Sequence, residues 1–147
     1  MTAVLAELDV HTGRLRWISA GHPPPLLLRG GRLVKRLTIL PRAPMGMRLD
    51  SGSAEVGEES LEPGDMVLLY TDGLTEARRP GGELFTVERL GEFIERQAAA
   101  GQAAPETLRR LREAIIERRE GSLHDDATAL LVEWRRGTQG TIVPETV

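Results

Sequence analysis

The segment that most constrains the fold is Met66-Val67-Leu68-Leu69-Tyr70, an apolar run without a polar interruption. Such a run is expected of a strand buried on both faces, where water reaches neither row of side chains. It follows Leu61-Glu62-Pro63-Gly64-Asp65, whose Pro-Gly pair marks a tight turn, and ends at Thr71-Asp72-Gly73. A second apolar and β-branched stretch, Ala127 to Trp134, predicts another strand and is entered through Ser122-Leu123-His124-Asp125-Asp126. Two strands therefore meet acidic residues at their ends.

The rest of the chain supplies further strands and a pair of helices. Thr2 to Val10 alternates in part, with Val4, Ala6, Leu8 and Val10 on one face. His11-Thr12-Gly13 then turns the chain into Leu15 to Ala20, which together predict a hairpin. In Gly21-His22-Pro23-Pro24-Pro25 three successive prolines lack an N–H, so the segment is expected to be a rigid extended loop before Leu26-Leu27-Leu28. Gly30-Gly31 turns into a strand over Arg32 to Leu37. Ile39 to Ser53 reads as a surface loop, and a further strand is expected near Ala54 to Glu58. Leu90, Ile94 and Ala98 recur at helical spacing between Thr86, a candidate N-cap, and Gly101, a stop. A second helix opens at Pro105, with Glu106 near its positive end and the stripe Leu108, Leu111 and Ile115. Runs of strands with two helices grouped together favour an antiparallel α+β architecture over alternating βαβ units.

Composition narrows the function classes. With 147 residues, one domain is expected, and two Phe, two Trp and one Tyr leave the core to Leu, Val, Ile and Ala. The net charge of −3, with acids and bases interspersed, provides no broad positive field for nucleic acid and no basic amphipathic stretch for a membrane surface. The chain has no cysteine, which excludes disulfides and thiolate chemistry. No apolar run approaches the ~20 residues that span a bilayer. A cytoplasmic protein without nucleic-acid or membrane partners is the expectation.

If the strands ending at Tyr70 and beginning near Ala127 are antiparallel neighbours, Asp72 comes within reach of Asp125. Clustered carboxylates repel unless a cation neutralises them, and oxygen ligands select hard ions such as Mg²⁺ or Mn²⁺. The plainer reading remains open at this point, since Asp-Gly is a common turn pair and Asp-Asp before a strand is usually solvated.

Several stretches taken together resemble the SpoIIE-like (RsbU-type) PPM-family protein serine/threonine phosphatases. They are Leu8-Asp9-Val10-His11-Thr12-Gly13-Arg14-Leu15, Ala20-Gly21-His22-Pro23-Pro24-Pro25-Leu26 and Leu61-Glu62-Pro63-Gly64-Asp65. Leu69-Tyr70-Thr71-Asp72-Gly73-Leu74-Thr75-Glu76-Ala77 and Asp125-Asp126-Ala127-Thr128 complete the set. Each is short, but their order and spacing are specific, and the resemblance runs from Met1 to about Trp134, with 135–147 expected to be a flexible tail. It implies part of an α/β/β/α sandwich, mainly antiparallel strands with two adjacent helices. It also implies two Mn²⁺ or Mg²⁺ ions sharing a bridging water that attacks phosphorus in line.

By the family's motifs, Asp72 and Asp125 would be metal ligands. Asp126, Gly73 and His22 would be neighbours that orient ligands, waters or the loop. His22 is assigned chiefly to fixing its loop, and no side chain is assigned catalysis beyond the metal-activated water. His11 is expected to be solvated, Glu76 is a weak candidate, and Arg78-Arg79 are read as solvated surface arginines and left out. The implied substrate is a phosphoserine or phosphothreonine on a regulatory protein, typically an anti-sigma-factor antagonist.

The family's Gly-Gly-Asp and Asp-x-x-Gly-type segments are not found here, so the chain resembles the C-terminal portion of the domain. Weak metal binding, impaired catalysis and self-association through exposed sheet are the corresponding expectations. Two other functions are compatible with the residues: a non-catalytic binding module or inactive phosphatase fragment, and a metal phosphoesterase acting on nucleotides. The second is disfavoured by the lack of a basic groove and stacking aromatics.

Overall fold

The structure is a computed structural model that describes residues 1–40, 43–46, 54–75, 86–116 and 127–137. In chain order the elements are β1 (Ala3–Leu8), β2 (Arg14–Ala20), β3 (Leu26–Arg29), β4 (Arg32–Arg36), β5 (Gly57–Ser60) and β6 (Met66–Tyr70). Then come α1 (Asp72–Thr75), α2 (Val87–Ala99), α3 (Ala104–Ile116) and β7 (Ala129–Glu133). They build two antiparallel sheets, one ordered β1-β2-β5 and the other β4-β3-β6-β7.

The expectation for Met66–Tyr70 holds for a specific reason. The second sheet lies between α2–α3 and the first sheet, and its strands divide their side chains between two cores. Leu26 and Leu28 of β3, Leu68 and Tyr70 of β6, and Leu131 of β7 pack with Leu90, Phe93, Ile94 and Leu111 of the helices. The alternate residues Leu27 and Val67 pack with Leu15 and Trp17 of β2, together with Leu37, Leu61 and Trp134. Each inner strand thus buries both rows of side chains. Leu26 and Leu68 are fully enclosed at 0% exposure, and truncating such a leucine costs roughly 2–5 kcal/mol. Helices, inner sheet and outer sheet give the α/β/β part of the expected sandwich. No described helix covers the outer face of the β1-β2-β5 sheet, where Leu5 is 69% exposed.

Local chemistry accounts for the connections. In the β1–β2 hairpin the Asp9 carboxylate accepts from the His11 and Thr12 amides at 2.9 and 3.2 Å, and the Thr12 hydroxyl together with these amides holds it below the usual carboxylate range. Gly13 closes the turn at φ 77°, where a Cβ would also lie 2.8 Å from the Trp134 ring. Thr86 caps α2, its hydroxyl accepting from the Arg89 amide, and Gly101 (φ 69°) lies just past the helix end. Pro105 falls in the first turn of α3.

One expected strand shifts. The strand expected near Ala54–Glu58 runs instead over Gly57–Ser60. Pairing with β2 begins where Gly57 lies opposite Trp17, whose ring fills the space a side chain would need. In β1, an edge strand, Ala3, Val4 and Leu8 are partly covered and Ala6 is exposed. Gly73 does not use a left-handed backbone to turn the chain; it is buried inside α1, a helical turn the sequence did not announce.

Candidate metal centre

Strands β6 and β7 pair antiparallel from Met66↔Glu133 to Tyr70↔Ala129. Extended by two residues, the register sets Asp72 opposite Ala127, so the end of one strand lies beside the start of the other. The last bonds of this ladder join Thr71 and Thr128. The Thr71 amide donates to the Thr128 carbonyl at 3.0 Å, and the Thr128 amide donates to the Thr71 hydroxyl at 2.9 Å. Asp125 and Asp126, which immediately precede Ala127 in sequence, lie outside the described residues, as do His124, Glu76 and Arg78-Arg79.

Asp72 is exposed and opens α1. One of its carboxylate oxygens accepts from the Gly73 amide at 3.0 Å, and the Thr75 hydroxyl donates to its backbone carbonyl at 3.1 Å. The carboxylate is therefore oriented by its own turn while facing solvent. As a hard oxygen donor on a rigid strand end it suits Mg²⁺ or Mn²⁺ in kind. Among the described residues, no group of three or more His, Asp or Glu side chains converges to hold an ion. Beneath Asp72, burial pushes the Tyr70 phenol up, and the ring packs into the helix-side core.

The His22 loop joins β2 to the start of β3. Since Leu26 pairs with Leu68, this loop lies at the end of the inner sheet from which β6 leaves toward Asp72. Its ring is half-buried, and Nδ1 donates to the Pro23 carbonyl at 3.0 Å, while the Ser19 hydroxyl donates to the His22 carbonyl at 3.2 Å. Gly21, at φ 64°, is backed closely by Pro44. These contacts tie the His22 ring and backbone into its own loop. His11 is exposed in the hairpin turn.

At the opposite pole, a groove of about 680 Å³ is lined in part by Arg32, Arg96, Glu92, Glu95, Glu133 and Arg135. Its charges alternate in sign, and two of its acids are already engaged: Glu95 accepts from the Leu33 amide, and Glu133 pairs with Arg135. It is remote from Asp72.

Sequence reading missed two residues that brace this architecture. Asp65, 1% exposed, receives Arg29 in a two-pronged ion pair, with distances of 2.7 to 3.1 Å, and accepts from the Glu62 amide at 2.8 Å. Its carbonyl accepts from the Trp134 amide, while the Trp134 indole N–H donates to the Val10 carbonyl at 3.0 Å. An Asp after Pro-Gly looks like an ordinary turn residue, and only the pairing of β3 with β6 shows why it is buried.

Two antiparallel sheets, a helical pair on one of them and an acidic strand end are the features of the PP2C-type phosphatase fold. The manganese-presoaked phosphatase domain of the cell fate determinant SpoIIE from Bacillus subtilis superimposes with a TM-score of 0.69 at 22% identity, over 95% of this chain and 59% of that one. Residues 1–135 match the family described as Stage II sporulation protein E, and the chain belongs to that family. Protein IcfG of Synechocystis is 30% identical over 134 residues, which is 91% of this chain and 20% of IcfG. Phosphoserine phosphatase RsbU of Bacillus subtilis is 31% identical over 75 residues, or 51% of this chain and 22% of RsbU. The chain thus spans about a fifth of the length of these curated relatives.

Proposed function

We propose that this chain is part of a metal-dependent phosphatase that hydrolyses phosphoserine or phosphothreonine on a regulatory protein, with an anti-sigma-factor antagonist as the favoured substrate class. In this reading residues 1–134 are the phosphatase portion, 135–147 are a tail, and the protein acts in the cytoplasm. The observation that supports it is the Thr71–Thr128 junction, whose register sets Asp72 opposite Ala127, the residue that follows Asp125-Asp126 in the sequence. The family membership and the phosphoserine phosphatase RsbU among its relatives supply the substrate chemistry.

Asp72 and Asp125 would hold Mn²⁺ or Mg²⁺, with Asp126 orienting ligands or waters. When bound, such ions supply an activated water at neutral pH and neutralise charge on the phosphoryl oxygens. The chain's own contribution is positional: α1 holds the Asp72 carboxylate outward, Gly73 orients one of its oxygens, and the braced His22 loop shapes the same end of the inner sheet.

The test is Mn²⁺-dependent phosphate release from a phosphoserine protein by this chain, with Asp72→Asn and Asp125→Asn beside it. Slow metal-dependent turnover lost in both variants is expected; turnover that survives either substitution would sink the assignment of that ligand. A non-catalytic binding module or inactive phosphatase fragment is the second reading, favoured by the lack of the family's Gly-Gly-Asp and Asp-x-x-Gly-type segments in the sequence. It predicts no turnover at any Mn²⁺ concentration, together with capture of the phosphoprotein.

A further inference from the structure

Resting on the metal-site reading above, we infer that Thr71 is the positioning residue of the centre: its hydroxyl stands in for its own backbone carbonyl in the β6–β7 ladder, freeing that carbonyl to start the turn that presents Asp72.

In an antiparallel sheet, residues of a hydrogen-bonded pair exchange both N–H···O=C bonds. Asp65 and Trp134 mark this row, since the Trp134 amide donates to the Asp65 carbonyl. Thr71 and Thr128 lie in the same row, six residues along β6 and six back along β7, and only half of their exchange is conventional. The Thr71 amide reaches the Thr128 carbonyl at 3.0 Å, but the Thr71 carbonyl accepts instead from the Leu74 amide at 3.1 Å, opening α1. That would leave the Thr128 amide, which is exposed, to water rather than to β6. The Thr71 hydroxyl takes it at 2.9 Å.

One side chain therefore resolves a conflict between ladder and helix at the residue next to Asp72. It lets β6 turn into α1 in a single step while β7 stays locked alongside. A valine fits the strand equally well by shape and β-propensity but has no acceptor. With Thr71→Val, either the Thr71 carbonyl returns to Thr128 and unwinds the turn at Asp72, or the Thr128 amide turns to water and the exit of β6 loosens from the entry of β7. Serine retains the acceptor.

The experiment measures Mn²⁺ alone binding to the full chain, by the electron paramagnetic resonance of free Mn²⁺, with thermal unfolding recorded for every variant. Thr71→Val is expected to bind Mn²⁺ at least about 10-fold more weakly, the lower range for groups that orient metal ligands, while Thr71→Ser stays within about 3-fold of the parent by retaining the hydroxyl. Thr71→Ala, which removes the hydroxyl without placing a new methyl against β7, is measured in parallel and answers the question if the valine variant does not fold. Affinity unchanged in the variants lacking the hydroxyl, with only the unfolding midpoint lowered, would show a purely structural residue and overturn the inference. Binding that is undetectable in the parent, or unaffected by Asp72→Asn, would overturn the metal-site reading itself and the inference with it.

Discussion

Asp65 illustrates how a buried charge can hold an architecture together without taking part in its chemistry. Its carboxylate is satisfied by the Arg29 guanidinium and the Glu62 amide, and Arg29 also reaches the Ser60 carbonyl and the Glu62 carboxylate. One ion pair thus ties β3, the end of β5 and the turn into β6. Breaking a buried pair by removing one partner strands the other charge, a loss of about 3–5 kcal/mol; Arg29 is about a third exposed, so the lower end of that range is expected for Asp65→Ala. Chemical denaturation would read it, and a loss below about 1 kcal/mol, the ordinary value of an exposed pair, would contradict the account. The site end of β6 was more legible than this brace. Asp72 stood out because a carboxylate followed an uninterrupted apolar strand, whereas Asp65 carried the signature of any turn. Thr71 gave no signal of its special role, because nothing in a sequence says which carbonyl a hydroxyl will replace.

At the level of elements, legibility followed burial. Met66–Tyr70 was read to the residue because both of its faces are enclosed, and α2 was delimited by its own cap and stop, Thr86 and Gly101. The strand before Leu61 was misplaced because its start depends on the Trp17 ring across the sheet, which local pattern does not encode. For β1, alternation reports which side chains share a face, not whether anything covers that face. Its edge carries a prediction. The Asp9 amide bonds to the Arg14 carbonyl, so the odd-numbered residues of β1 direct their backbone groups to β2. Val4, Ala6 and Leu8 therefore turn theirs to the open edge, next to exposed Leu5. An edge that no described strand covers invites another strand, here a second copy of the chain. Sedimentation velocity is expected to show concentration-dependent association that Ala6→Pro abolishes, since proline removes only an outward N–H. A single monomeric species at high concentration would contradict this.

Over the whole molecule, the two sheets and the helical pair serve one geometric end: they bring the exit of β6 and the entry of β7 to the same place with little freedom. The inner sheet achieves this by burying both faces, the Asp65–Arg29 pair closes the opposite end of β6, and the Thr71–Thr128 junction finishes the ladder beside Asp72. The most direct test of that claim is an anomalous difference map from crystals of the chain soaked in Mn²⁺. A peak is expected within bonding distance of the Asp72 carboxylate and beside the Asp125-Asp126 segment, absent in Asp72→Asn crystals. A well-ordered β6–β7 junction with no peak at Asp72, or with manganese bound only elsewhere, would contradict it.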